Sequence, residues 1–230
     1  MNQTVTTGIV LRRTNYGEAD RIVTFLTKNN GKIRVMARGV RKQKSKMAGG
    51  IELFCVCDIT FIRGKGEIGT LISGRLKTNY GSIIKELGRV QLGYDLISLI
   101  NRNTEDETEA EYFELLNQTL AALDDLKIKT ILIKCWFQAQ LLRMAGHTPN
   151  LITDTENNKL EVKKKYNFDF DDMTFTIHPE GHFTSTDIKT LRLLFDGHAP
   201  LKLNNVTGLN DNLPNVEPLI NTMLTSYLRV

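Results

Sequence analysis

The stretch RIVTFLTKNNGKIRVMARG, residues 21–39, has the pattern of two β-strands joined by a tight turn. Its Asn30-Gly31 pair is a strong hairpin signal, because the favoured short turns need a left-handed backbone that these two residues tolerate. In the second strand, apolar side chains alternate with polar ones such as Lys32 and Arg34. One face is therefore expected inside the domain and the other, basic face in solvent.

Three more strands are predicted around this hairpin. They are TVTTGIVLRR before it, residues 4–13, and ELFCVCDITFIRG and IGTLISGRLKT after it, residues 52–64 and 68–78. In the first of them Val5, Ile9 and Leu11 are expected to share one side. In the last, Gly69 and Gly74 lie where a small barrel often bends. Five strands in about 75 residues, with short turns and one long basic loop, are typical of a small closed barrel.

From Ser82 onward the apolar residues recur at helical spacing. A first helix is expected to bury a stripe that includes Leu87, Tyr94 and Ile97. The segment Thr104–Glu107 has the form of a capping box, which predicts that a second helix opens there.

The rest of the chain predicts three more helices and a hairpin. The helix at about 129–145 is apolar on more than one side and is therefore expected at the centre of its domain. Two others are predicted at about 185–195 and from Pro218 to about Leu228. An alternating stretch within about 149–183 is typical of a hairpin insertion.

Together these patterns predict an α+β, multi-domain chain, with a barrel over residues 1–80 and a helical domain over residues 81–230. Charge is divided in the same way. The first segment holds 15 Lys and Arg against 5 Asp and Glu, whereas the second holds 15 against 21. A basic N-terminal module in a chain with a net charge of only +4 indicates an anionic partner, most simply a nucleic acid.

The basic loop, residues 38–46, carries five Lys or Arg residues in nine positions and no acidic residue. An isolated run of charges usually marks a solvated loop. Here the strands carry further cations, and a basic barrel face extended by a basic loop is typical of a groove for a polyanion backbone. The residues predicted to contact nucleic acid are Arg34, Arg38, Arg41, Lys42, Lys44, Lys46, Arg75 and Lys77.

Aromatic side chains on which bases could stack are fewer. Tyr16 in the first loop and Phe61 or Tyr80 near the barrel ends are candidates, although a core position is expected for Phe61. The sequence therefore favours binding of the backbone over reading of the bases.

Cysteine and histidine give no signal for a metal site. Cys55 and Cys57 lie two apart on a predicted strand and are expected to be buried, and Cys135 lies in an apolar helix. His178 and His182 have an i, i+4 spacing, but the proline and glycine between them argue against a helix and so against a zinc pair. An odd number of cysteines without a CxxC pair favours a reducing cytoplasm.

Motifs for catalysis are absent from the sequence. It has no GxxxxGK(S/T) phosphate loop, no GxGxxG fingerprint and no GxSxG nucleophile elbow. The carboxylates of DFDD, residues 169–172, are expected on a solvated face of the hairpin and not in a two-metal site. No apolar run approaches the roughly 20 residues of a membrane span, and the N-terminus does not have the pattern of a signal peptide. We therefore expect a non-enzymatic protein that needs no cofactor or metal and has no membrane partner.

Three segments resemble one known family. They are GIVLRRTNYGEADRIVTFLTKNNGKIRVMARGVRKQKSKMAGGIELF, residues 8–54, then RGKGEIGTLISGRL, residues 63–76, and GHTPNL, residues 146–151. The strand ending in basic residues, the Tyr-Gly-Glu-x-Asp segment, the hairpin glycine and the glycine-flanked basic loop occur in the order of the RecO family, the bacterial recombination and repair proteins O. The resemblance is specific over about the first 80 residues and weak after residue 150.

This resemblance implies an N-terminal OB-fold barrel and a helical domain with a small zinc-ribbon-like insertion. It also implies a recombination mediator of double-strand-break and gap repair, cytoplasmic and associated with the nucleoid. Such proteins bind single- and double-stranded DNA, anneal complementary strands and, with RecR, help RecA to displace the single-stranded-DNA-binding protein, SSB. RecA is thus an indirect partner. The acidic tail of SSB ends in an aromatic residue, so its site should pair an apolar pocket with a cation, for which Lys134 and Arg143 are candidates.

One departure from the family pattern concerns zinc. Many members carry two Cys-x-x-Cys pairs after the Gly-x-x-Pro-x-Leu turn, whereas the corresponding region here has no cysteine. Zinc is therefore not expected, and the hairpin is expected to hold by packing.

Two other functions stay open: an RNA-binding OB-fold protein of translation or RNA processing, and a metal-dependent hydrolase that uses His178, His182 and Asp169.

Overall fold

The computed structural model describes residues 3–45, 47–64, 66–107 and 109–230. The chain forms two compact units, residues 1–126 and residues 127–230. The first unit contains the barrel and the two helices that follow it, and the second contains the remaining helices and a hairpin. The domain division after residue 80 stays a prediction.

The first unit is built on a closed five-stranded barrel. Its elements are β1 (Gln3–Tyr16), β2 (Asp20–Thr27), β3 (Lys32–Ala37), β4 (Cys55–Ile62), β5 (Ile68–Asn79), α1 (Leu87–Asn103) and α2 (Ala110–Asp124). The strands follow the order β1-β2-β3-β5-β4, and β4 pairs with β1 to close the barrel. The pairing of β3 with β5 is parallel and the other four strand pairs are antiparallel. This arrangement confirms the predicted OB-fold barrel.

The β2–β3 hairpin forms where Asn30-Gly31 predicts it. Thr27 donates its backbone N–H and its hydroxyl to the Gly31 carbonyl at 2.9 and 2.7 Å. The alternation along β3 is confirmed, because Ile33, Val35 and Ala37 are buried in the barrel core. The neighbouring β2 therefore pairs with β3 in the register that the hydrophobic pattern of β2 requires.

The prediction for β1 was wrong at its first residues. Val5 is 72% exposed, and Thr6 is buried in its place. The pairing of β1 with β2 shifts between Val10 and Arg12, which is a β-bulge. Val10 joins the barrel core, and helices α1 and α2 pack against the same strand from outside, so Leu11 beside the bulge is buried as well.

The face of α1 that is buried also differs from the predicted stripe. Ile97 is buried as predicted, but Leu87 is 85% exposed and Arg89 is buried. The Arg89 guanidinium donates to the carbonyls of Leu123 and Leu126 at 3.0 Å, so it satisfies backbone groups at the end of α2. Helix α1 is therefore rotated so that Arg89 faces the end of α2, a contact that the spacing of apolar residues does not reveal.

The predicted capping box at Thr104–Glu107 was also wrong. Thr104 follows the end of α1, and its hydroxyl donates to the Ile100 carbonyl at 2.8 Å. Helix α2 begins only at Ala110. The threonine completes one helix and does not open the next, because its side chain can bond the carbonyl four residues earlier.

The second unit is a helical bundle with a small β-hairpin. Its elements are α3 (Thr130–Met144), β6 (Tyr166–Asp169), β7 (Thr174–Ile177), α4 (Ser185–Phe195), α5 (Pro200–Leu203) and α6 (Leu209–Tyr227). Helices α3, α4 and α6 pack against one another, and α3 is buried along most of its length, as its all-round apolar pattern predicts. The hairpin and α4 are confirmed where the sequence placed them.

The start of the last helix was predicted wrongly. Helix α6 begins at Leu209, and both Pro214 and Pro218 lie inside it. The first-turn preference of proline suggested a start at Pro218. The preceding turns instead bury Leu213 and Val216, and such packing outweighs the hydrogen bonds that the prolines remove.

Candidate nucleic-acid interface

The basic loop is fastened at its start to the turn between β1 and β2. Gly39, with a φ of 64°, donates its N–H to Asp20 Oδ1 at 2.7 Å. The Arg41 N–H donates to the Ala19 carbonyl at 2.9 Å. Between these bonds Val40 is buried in the barrel core. The loop is therefore held in place by its backbone and one apolar anchor, while its charges stay outside.

The segment after the loop is fastened to the other side of the barrel. Ile51 is buried in the barrel core, and a short 3-10 helix, Ala48–Gly50, precedes it. A side-chain carbon at Gly50 would overlap the Gly74 carbonyl of β5, so glycine is required for this close approach. The loop thus spans one end of the barrel, from the β1–β2 turn to β5.

The predicted cations of the loop point into solvent. Arg38, Arg41, Lys42 and Lys44 are exposed, and Lys46 lies outside the described residues. Arg41 Nη1 donates to the Gly17 carbonyl at 3.2 Å. Within the described part of the chain, none of these four makes an ion pair. Their charge is therefore available to an anionic ligand.

Arg34 lies in a row of side chains on the outer face of β1, β2 and β3. Thr24 of β2 pairs with Arg12 on one side and with Arg34 on the other. Adjacent strands lie about 4.8 Å apart, so the two arginine Cα atoms are about 10 Å apart on one face. Arg34 Nη2 lies 3.1 Å from Glu67 Oε2 in an exposed ion pair, which a phosphate could replace at little cost. The sequence prediction did not include Arg12, because its place beside Arg34 follows only from the strand register.

Arg75 and Lys77 lie on another face of the barrel. Arg75 pairs with Asp58 of β4, and Lys77 Nζ lies 3.4 Å from Asp58 Oδ1. On β5, Ile68 is the residue that pairs with Arg34, and Arg75 lies roughly 20 Å farther along the strand. The sequence predicted one groove over all these residues. In the structure they lie on two faces of the barrel, and the basic loop and the segment that follows it join these faces at the barrel end.

Lys32, which the alternation put on the same basic face, has a structural role. Its Nζ donates to the Asn101 carbonyl at 3.1 Å and to the Thr104 carbonyl, both at the C-terminal end of α1. Burial lowers the pKa of this ammonium from its usual value. Its contacts fasten α1 to the barrel, so Lys32 is not a free cation for a ligand.

A groove of about 530 Å³ beside Arg34 has mixed charge. Besides Arg34 its lining includes Arg63, Glu67, Asp106 and Glu107. The three carboxylates would offset the attraction that the arginines exert on phosphate. This groove is therefore a poorer path for a polyanion than the basic loop.

The aromatic candidates occupy different environments. Phe61 is 1% exposed in the barrel core, as predicted. Tyr80 is buried, and its hydroxyl donates to Asn117 Oδ1 at 2.8 Å. Tyr16 is 57% exposed at the end of β1, next to the turn that holds the basic loop. The sequence prediction missed Tyr94 of α1, which is 47% exposed.

The cysteines are buried, as predicted. Cys55, Cys57 and Cys135 are free thiols, and burial raises the pKa of Cys57 and Cys135 to about 12. A thiol with such a pKa is a poor nucleophile at neutral pH.

The remaining candidates for metal or catalytic chemistry do not converge. His178 and His182 lie outside any helix. Asp169 accepts the N–H groups of Asp171 and Asp172 in a turn. Among the described residues, no group of three His, Cys, Asp or Glu side chains is arranged to hold a metal ion. In the same part of the chain, no helix combines the length and the apolar character that a membrane span needs.

Metal analysis provides a direct test of the cysteine-free hairpin region. We expect purified protein to contain far less than one zinc ion per chain, because tetrahedral zinc needs four ligands that this region does not supply. Chelation should leave the melting temperature unchanged, measured with and without EDTA. Stoichiometric zinc retained through purification, with unfolding on chelation, would contradict this expectation.

The two candidate partner residues of α3 differ in their surroundings. Lys134 Nζ is 2.7 Å from Glu217 Oε1, so its charge is already paired. Arg143 donates to Gln140 Oε1 at 3.0 Å, and a side-chain carbon at Gly197 would lie 3.7 Å from its Nη2. Phe195 and Asp196, two and one residues before that glycine, line an open groove of about 490 Å³. Arg143 is thus the better placed of the two.

Comparisons with known proteins find similarity to one family, and it includes the whole barrel. The family model described as "Recombination protein O N terminal" matches residues 1–80. The DNA repair protein RecO of Dehalococcoides mccartyi is 34% identical over 147 residues, which are 64% of this chain and 57% of that protein. RecO of Halalkalibacterium halodurans is 34% identical over 145 residues, 63% of this chain and 56% of that protein. RecO of Trichodesmium erythraeum is 35% identical over 142 residues, 61% of this chain and 48% of that protein.

These matches confirm the resemblance to the RecO family. The chain spans about half the length of the curated relatives it matches. The matched barrel is also the part that carries the excess of positive charge and the basic loop.

Proposed function

We propose that this chain, whose residues 1–80 match the family model described as "Recombination protein O N terminal", is a DNA-binding protein of repair and recombination. It acts by binding, without catalysis, and it anneals complementary strands. The relatives are named DNA repair proteins, which supports the process. The direct contact with DNA is supported by the geometry of the barrel.

The observation that carries the proposal is the fastened basic loop. Its backbone is hydrogen-bonded to the β1–β2 turn, and its exposed cations have no acidic partner within the described residues. Because the backbone at Gly39 and Arg41 is already held in place, less conformational entropy is lost there when a polyanion binds. Contacts of this kind recognise phosphates and not base sequence.

Annealing follows from the same charges. Two complementary strands repel each other, and a protein that neutralises phosphates on both lowers the barrier to pairing. The barrel offers cations on two faces, with Arg34 on one and Arg75 and Lys77 on the other, and the basic loop lies at the end between them. Two strands could therefore be held on one protein molecule.

The partners form the finer part of the proposal. We propose that the chain acts with RecR and that the second unit takes the acidic tail of SSB, which would place the protein on SSB-coated strands before RecA loads. The open groove near Arg143 supports this choice, because its lining combines Pro149, Leu151 and Phe195 with the cation Arg192, and its single carboxylate is Asp196. An apolar surface with nearby cations suits an acidic peptide that ends in an aromatic residue.

The experiment that tests the proposal is annealing of complementary oligonucleotides by the purified chain, with and without SSB coating. We expect pairing faster than in protein-free solution, with no need for ATP or a metal ion. An RNA pair of the same sequence separates this function from that of an RNA-binding protein. Faster pairing of RNA alone, or no acceleration of either pair, would contradict the proposal.

A further inference from the structure

A second groove lies in the first unit, between the barrel and α1, and no residue predicted from the sequence to bind DNA belongs to it. Its volume is about 500 Å³, within the range of small-ligand pockets. Leu11 of β1 and Ile97 of α1 are buried residues of its lining. The residues that matter for binding are Arg12, Leu53, Tyr94, Asn101 and Arg102.

One face of α1 gives the groove its chemistry. Tyr94 and Asn101 are seven residues apart, so they lie on the same side of the helix, two turns from each other. Arg102 follows directly and donates to Ser98 Oγ at 3.2 Å. An aromatic ring, an amide and a guanidinium are thus lined up along a largely apolar depression.

The Tyr94 ring is held in position by a strained residue. Phe54 packs edge-to-face against Tyr94, with ring centroids 5.4 Å apart and an interplanar angle of 68°. Phe54 has a φ of 59°, which is rare for a bulky residue. A side-chain carbon at Gly93 would lie only 2.7 Å from the Phe54 ring, so glycine leaves room for it. Strain of this kind persists where the surroundings impose it, and it is common at binding sites.

The groove shares one arginine with the outer face of the barrel. Arg12 belongs both to its lining and to the row Arg12–Thr24–Arg34 across β1, β2 and β3. Arg13 forms an ion pair with Glu52. Arg12, in contrast, makes no ion pair within the described residues. Thr24, between the two arginines, is buried, so the groove meets this row only at Arg12, where a phosphate of a bound nucleotide would lie beside a guanidinium without an ion-pair partner.

We propose that this groove binds one unstacked nucleotide of a single DNA strand, with its base on Tyr94 and its phosphates between Arg12 and Arg102. The inference rests on the proposed function and deepens it. A base inside a duplex is stacked on both sides and cannot reach the ring, whereas a base in a single strand is free to do so. The groove therefore gives the protein a preference for single strands, which phosphate contacts alone do not provide.

The test compares a labelled thymidine oligonucleotide with a duplex of the same length, by fluorescence anisotropy. Tyr94→Ala should weaken single-strand binding about 5- to 150-fold, because one base–aromatic stack is lost, and should leave duplex binding unchanged. Tyr94→Phe should bind as the wild type does, because the ring remains. Arg102→Gln should flatten the salt slope on single strands by about 0.7, and Lys85→Gln, an exposed cation just before α1, is its control.

A cross-linking measurement identifies the contact directly. A single strand that carries iodouracil should cross-link to Tyr94 of the wild-type protein. Three results would overturn the inference. The first is wild-type affinity of Tyr94→Ala for single strands, and the second is an equal loss on single strand and duplex with an unchanged melting temperature. The third is loss of the cross-link when an acidic peptide with a terminal phenylalanine is present at low concentration. That result would assign the groove to a protein partner. If the wild-type protein binds no DNA at all, the proposed function itself fails.

Discussion

Replacing Arg41, Lys42, Lys44 and Lys46 by alanine is expected to weaken DNA binding about 100-fold at roughly 0.1 M salt. Each cation on a single-strand phosphate releases condensed counterions and adds about −0.7 to the slope of log K against log salt. If three of the four contact phosphates, the slope flattens by about two units. Such contacts contribute little at about 1 M salt, so one decade lower, at about 0.1 M, the variant binds about two powers of ten more weakly than the wild type. The loss should be the same for all sequences, because phosphates carry no sequence information.

A double variant gives this prediction a matched control. Lys42→Ala with Lys44→Ala removes two exposed cations of the loop, and Lys163→Ala with Lys165→Ala removes two exposed cations of the second unit. Both variants change the net charge equally, so a general effect of charge would appear in both. We expect a flatter slope, by about 1.4, only for the loop variant.

Stability should barely change in any of these variants. The loop cations make no ion pair within the described residues, and the anchors of the loop are Val40, Ile51 and backbone bonds. Thermal unfolding therefore separates a loss of binding from a loss of fold. If the quadruple variant binds with wild-type affinity and salt dependence, the loop is solvated surface. The DNA path must then run over Arg12, Arg34, Arg75 and Lys77.

The barrel could be predicted from sequence because its signals are local. Alternation along β3, the Asn30-Gly31 turn and the glycine-flanked basic loop each lie within a few residues of one another. Charge is equally local, so the loop was found as a candidate site without knowledge of the fold. Its fastening was not predictable, because Gly50 meets Gly74 and Gly39 meets Asp20 only after the barrel closes.

The parts of the site that were missed depend on register and rotation. Arg12 shares a row with Arg34 because both pair with Thr24, and only the strand register defines this. Tyr94 was expected in the buried stripe of α1, but the buried guanidinium of Arg89 fixes a different rotation of that helix. Neither the strand register nor the carbonyls that bind Arg89 can be read from residue spacing. The candidate site was therefore predicted where it rests on charge, and missed where it rests on contacts between distant segments.

The hairpin region was expected to hold by packing alone, and packing is part of the answer. Tyr166, Phe168, Phe175 and Phe183 form a cluster of edge-to-face rings, with centroids 5.2 to 6.3 Å apart where they meet Phe175. A buried carboxylate adds to it. Asp154 is 3% exposed, and its Oδ1 accepts the N–H groups of Glu156 at 3.0 Å and Asn158 at 2.8 Å. Neither of these interactions needs a metal ion.

Asp154→Ala is expected to lower the free energy of unfolding of the second unit by about 2–4 kcal/mol, because two N–H groups lose their acceptor in a buried turn. Urea unfolding followed by the fluorescence of Trp136 measures it, since this tryptophan is the only one in the chain and is buried in α3.

Asp154→Asn should keep most of the stability, because an amide oxygen can accept the same two bonds. Asp171→Ala, at an exposed position of the hairpin turn, is the control and should change little. DNA binding by the barrel should be unaffected, and added zinc should not restore stability. An unfolding midpoint of Asp154→Ala equal to that of the wild type would show that the aromatic cluster holds the region without the carboxylate.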